Sequence, residues 1–104
     1  MEPHHVTECY PKRAPNLAAR VFDEGEVIIM NPVNSTLFNL NETATAIWLA
    51  ADGRTTLRRI VERDIVPVFD VDPDAALRDA GEFARSLAEH SILHLLSAPD
   101  EKVT

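Results

Sequence analysis

The order of residues in this chain predicts an α+β fold: a three-stranded antiparallel sheet followed by three α-helices. Three observations carry that prediction. Short apolar runs separated by turn residues occupy the first part of the chain. From Glu42 onward the apolar residues recur at helical spacing, and the junctions between helical stretches carry stop and cap residues in the right order. With 104 residues there is material for one domain around one modest core.

Residues 1–17 contain Pro3, Pro11 and Pro15 with little apolar pattern, and are expected as a flexible arm ahead of a domain spanning 18–96. The first strand is expected at 20–22 and ends at Asp23-Glu24-Gly25, which is turn chemistry. The second, 27–30, is apolar without alternation, as a central strand is. Asn31-Pro32-Val33-Asn34 turns the chain, since Pro32 cannot donate to a ladder. The third strand, 35–40, alternates: Phe38 and Leu40 on one face, Leu37 and Asn39 on the other. A meander of this kind leaves its third strand at an edge.

Asn41 can cap the first helix, expected over 42–51, where Ala44, Ile47, Trp48 and Ala51 recur at helical spacing and Asp52-Gly53 stops it. Thr55 or Thr56 caps the second, which is expected to stop before Pro67. Leu57, Ile60, Val61 and Ile65 form its buried stripe, with Arg54, Arg58, Arg59 and Arg63 on the wet side. The third has Asp72 as cap and Pro73 at its first position. Its apolar arc, Ala76, Leu77, Ala80, Phe83, Ala84, Leu87 and Ala88, is wider than packing against one neighbour requires. Residues 92–96 add a short terminal strand, and 97–104 read as a flexible tail.

Composition narrows the function. A formal charge of -7 disfavours nucleic acid and anionic membrane surfaces, and favours neutral or basic partners. No apolar run approaches the ~18 residues of a membrane span, and the start of the chain lacks the regions of a secretory signal, so a cytoplasmic location is expected. The single cysteine, Cys9, excludes an internal disulfide. Gly25, Gly53 and Gly81 are isolated, so no phosphate loop exists. His90 and His94 lack a third ligand, and the Asp70, Asp72, Asp74 series lacks the glycine of a calcium loop. Catalytic residues, metal ligands and cofactors are therefore not expected. A DNA reader would place basic residues on the third helix, where Arg78 and Arg85 are outnumbered by Asp70, Asp72, Asp74, Asp79, Glu82 and Glu89.

The stretch Leu40-Asn41-Glu42-Thr43-Ala44, Ile47-Trp48, Asp52-Gly53, Thr56-Leu57, Ile60-Val61, set between the strands and the third helix, resembles the PqqD family of peptide-binding domains. These are also called RiPP precursor recognition elements, with a winged helix-turn-helix-like fold. The resemblance covers roughly 19–96. It implies a non-catalytic peptide chaperone that binds a ribosomal precursor (leader) peptide as an added strand and presents it to a maturation enzyme, such as a radical SAM protein, in PQQ-like cofactor or other RiPP biosynthesis. PQQ-pathway members often carry Pro-Glu where this chain has Asn31-Pro32-Val33, so the product is left open.

Two features of the residues agree with a peptide site: the edge strand, whose backbone can template another, and the over-wide arc of the third helix. Phe83 and Leu87 are its candidate exposed shoulder, although Phe83 can equally be core. Carried over by position, the peptide-binding strand is Ser35, Thr36, Leu37, Phe38 and Asn39, and the cleft wall is Ala76, Ala80, Phe83 and Leu87. Arg78 and Arg85 are expected to meet acidic leader residues. The alternatives are a winged-helix DNA-binding regulator and a structural subunit whose edge strand forms a homodimer.

Overall fold

The computed structural model describes residues 3–22, 26–33 and 35–100, without the side chains of 3–5. The expected turn at Asp23-Glu24-Gly25, Asn34, and the last four residues lie outside the described residues.

From Pro3 onward the N-terminal segment is built into the fold, contrary to the expected loose arm. After a 3-10 turn, Pro3–Glu8, strand β1 (Tyr10–Arg13) pairs antiparallel with the last strand, Leu93–Leu96 (β5 below). The backbone ties are numerous. Leu57 N–H donates to Cys9 O (3.0 Å), Gly53 N–H to Pro11 O (2.8 Å), and Ala14 N–H to Ile92 O (3.0 Å). Pro11 has no N–H to lose and uses its carbonyl, so a proline is tolerated in this two-stranded ribbon. At the other end, Lys12 pairs with Asp100, whose N–H donates to Gly53 O, so Asp100, in the expected loose tail, is held to the body of the protein.

The main sheet runs β2 (Ala18–Val21), β3 (Val27–Asn31), β4 (Thr36–Leu40), antiparallel and in that order. β3 is central, as its unbroken apolar run implies: Val27 and Ile29 are wholly buried, while Met30 on the opposite face is exposed. In β4 the alternation holds, with Leu40 buried, Phe38 half-buried, and Leu37 and Asn39 exposed. Ser35 is not part of the strand. It adopts φ 59°, and its N–H closes the turn onto Asn31 O (2.8 Å).

Helix α1 (Glu42–Ala50) starts where Asn41 Oδ1 accepts from Ala44 N–H (2.9 Å). It ends before Gly53, whose φ of +79° is the left-handed conformation that glycine adopts without penalty. Asp52 holds the exit turn by accepting from Arg54 N–H (2.8 Å) and Thr55 N–H (3.0 Å). Burial pushes its carboxyl up, but these bonds outweigh it and keep the group below the ordinary carboxylate range.

The second helical run, α2 (57–69), is capped by Thr56, which accepts from Arg59 N–H (3.2 Å). It does not stop at Pro67. A π segment, Val61–Ile65, joins the α-helical pieces Leu57–Ile60 and Val66–Phe69. In an unbroken α-helix the proline ring would strike the carbonyl four residues back and leave it without a donor. Here Val66 N–H reaches five residues back to Val61 O, and Pro67 falls in the first turn of a new α-helical piece, where its missing N–H is not needed. Asp70, in the left-handed conformation, ends the run. Helix α3 (Pro73–Glu89) begins with Asp72 accepting from Ala75 N–H (2.9 Å). Ile29, Ile47, Leu57, Ile60, Val61, Ile92 and Leu93 meet in one core between the sheet and the helices. Among the described residues no helix is long and apolar enough to cross a membrane.

Candidate functional site

β4 is the last strand of its sheet, with β3 as its one strand neighbour among the described residues. β1 does not cover its outer margin, being paired with β5. Alternate backbone groups of an edge strand point away from its partner, where they can receive another chain. Helix α3 lies close by. At its C-terminal end the His90 ring meets Phe38 edge-on, with centroids 4.9 Å apart, and His90 Nδ1 lies 2.9 Å from Ser86 O. The inward alternation of β4 puts Phe38 in that position, and the length of α3 brings His90 to it.

Just past the end of β4, from Asn41 onward, the start of α1 and the face of α3 diverge around a cavity of about 400 Å³, within the range of ligand sites in general. α1 and its cap contribute Asn41, Thr43, Ala44 and Ile47. Ile65 from the π segment and Val71 close one end. α3 supplies Ala75, Ala76, Asp79, Ala80 and Phe83. The floor is small and apolar because α3 presents alanines there: at 3.6 residues per turn, 76, 80 and 83 stack on one face. A second hollow of about 390 Å³ adjoins it through Asn41 and Thr43 and adds Glu26, Glu42 and Phe69.

Of the expected site residues, Ala76, Ala80 and Phe83 come together on the cleft wall, with Phe83 half-buried rather than sealed in the core. Leu87 does not join them. It is 2 % exposed and packs in the core: it shares the face of Ala76, Ala80 and Phe83 but lies one turn beyond Phe83, past the end of the cleft. Thr36, Leu37, Phe38 and Asn39 form the edge strand, with Leu37 65 % exposed on the outer face. Ser35 lies in the turn preceding it. Arg78 and Arg85 are not at the cleft. They fall on the opposite side of α3, where with Thr7 and Arg58 they line a separate groove.

Several lining residues escaped the sequence reading. Asn41 and Thr43 follow the edge strand directly, and Asp79 is three residues from Ala76 and four from Phe83. Their positions were legible, but what faces them was not. The arginines of α2 are also less idle than a solvated face. Arg58 pairs with Glu8 (2.8 Å), Arg54 Nε donates to Asp100 O (3.1 Å), and Arg63 binds Asp64 (2.8 Å). Arg63 holds the Asp64 carboxyl below its ordinary range against the opposing effect of burial. His90 and His94 end up on a helix end and a strand, and no group of three or more His, Cys, Asp or Glu able to hold a metal occurs among the described residues.

The family model described as coenzyme PQQ synthesis protein D (PqqD) matches residues 26–93. That span covers β3, β4, all three helices and the cleft. A solved structure titled "TbiB1 in Complex with the TbiA(beta) Leader Peptide" superposes with a TM-score of 0.70 at 25% identity, covering 80% of this chain and 94% of that one. No curated protein sequence matches the chain.

Proposed function

The chain belongs to the PqqD family, and on that premise we propose that it binds a ribosomally made precursor peptide and presents it, without chemistry of its own, to a maturation enzyme. The peptide adds as a strand along Thr36, Leu37, Phe38 and Asn39 and lowers apolar side chains into the cleft against Ala76, Ala80 and Phe83. The observation that carries this reading is the juxtaposition of an edge strand with an apolar cleft on α3. The leader-peptide complex of the similar protein supports it.

Magnitudes divide the work between the two surfaces. A micromolar complex requires about 8 kcal/mol. Ladder hydrogen bonds contribute about 1 kcal/mol each net, much of which is offset by ordering the peptide. Two or three side chains buried in the cleft at roughly 1.5–3 kcal/mol each supply the balance. They also fix register, because a slip of one residue would turn them outward. The contribution to maturation is concentration: a held peptide meets its enzyme, for example a radical SAM protein, at an effective concentration on the millimolar scale when the connection is short. Against a nucleic-acid reader stands the charge of α3, whose two arginines lie away from the cleft.

Calorimetric titration with a short candidate precursor peptide, sought among the neighbouring genes, tests the reading. Phe83→Ala is expected to weaken binding at least tenfold, the loss of one buried aromatic anchor, with an unchanged circular dichroism spectrum. Unchanged affinity in the folded variant would overturn the placement.

A further inference from the structure

The cleft has a charge character that the peptide reading by itself does not supply. Its one charged lining residue is Asp79, and the adjoining hollow adds Glu26 and Glu42. Neither hollow is lined by a lysine or an arginine. Asp79, Glu26 and Glu42 take part in no ion pair among the described residues, so their charge is not already answered by a cation of this chain, as those of Glu8, Asp64 and Asp100 are. The two arginines of α3 sit about 180° around the helix from the alanine floor, given 100° per residue. The molecule as a whole carries -7.

We infer that the peptide segment taken up by this cleft is basic, with an apolar anchor seated between Ala76, Ala80 and Phe83 and a lysine or arginine near it in sequence that pairs with Asp79. The inference rests on the peptide-binding reading and gives it a ligand class. An acidic leader is disfavoured twice. Its carboxylates meet Asp79 at the mouth, and the net field of the protein slows its approach. The arginines once expected to receive acidic residues line a different groove and cannot compensate.

The experiment uses the whole chain as bait against a random peptide library, followed by fluorescence anisotropy on the recovered peptides. The expected peptides lose affinity in Phe83→Ala and carry Lys or Arg in excess of Asp or Glu beside their apolar anchor. Exchanging that basic residue for Glu weakens binding about fivefold, the scale of a partly exposed charge pair. In Asp79→Lys, an exposed substitution, the Glu peptide becomes the tighter of the two. Phe83-dependent peptides with no charge preference, or a preference that Asp79→Lys leaves unmoved, overturn the basic-ligand inference and leave the cleft reading standing. Recovery of no peptide, or only of peptides indifferent to Phe83→Ala, overturns both.

Discussion

Single residues in this protein hold boundaries rather than filling space. Arg13 reaches from β1 to the end of α1, where its guanidinium donates to Leu49 O (2.6 Å) and Trp48 O (3.2 Å) and lies 5.7 Å from the Trp48 ring centroid. A cation at a helix C-terminus contributes up to about 1 kcal/mol, and a cation–π contact about as much when exposed. Arg13→Met is therefore expected to destabilise by about 1–2 kcal/mol in urea unfolding, with Arg13→Lys falling between. Asn41 serves two masters, since the side chain that caps α1 also lines the cleft. Asn41→Ala should lose about 1 kcal/mol of stability, whereas Asn41→Asp keeps the cap and, if the ligand is basic, binds it more tightly. That split separates the structural role from the binding role in one pair of titrations.

Elements were legible in proportion to how local their signals are. The caps at Asn41, Thr56 and Asp72 act within a turn of their own residue, and each sits where the sequence places it. The β4 alternation is equally local. The N-terminal segment was not legible, because its partners are remote: β1 contains Pro11, Lys12 and Arg13, and its ladder is with Leu93–Leu96. The π segment escaped for a different reason. The proline rule gives the clash correctly but does not foresee a helix that slips its register to avoid it. On α3 the apolar arc told which residues share a face and not how far along the helix the core covers it, so Leu87 and Phe83 were indistinguishable until the neighbours were in place. Gly81 offers a test of the N-terminal packing. A Cβ there would lie 2.9 Å from Val6 Cγ1, so any side chain at this position requires Val6 to shift. Gly81→Leu is expected to displace Pro3–Glu8 and Tyr10–Arg13, seen as faster amide exchange across both. The exchange of β3 should be unchanged.

For the whole molecule, the pH dependence of stability follows from Asp52 and Asp64. Both carboxyls titrate below their ordinary range in the folded protein. A depressed folded pKa contributes stability that is present above the unfolded value, near 3.9, and is lost as pH falls through the folded one. The denaturation midpoint is thus expected to hold level from about pH 8 to 5.5 and to fall below about pH 4. Asp52→Asn, which retains an acceptor without the titrating charge, should make the acid limb shallower. A limb equally steep in that variant would assign the acid loss to other groups.

The ribbon of β1 and β5 joins the first and last strands, with Lys12 and Asp100 clasped beside it, and contributes nothing to the cleft lining. A passenger spliced ahead of Pro3 or behind Asp100 is expected to leave the cleft between α1 and α3 uncovered, since neither residue lines it.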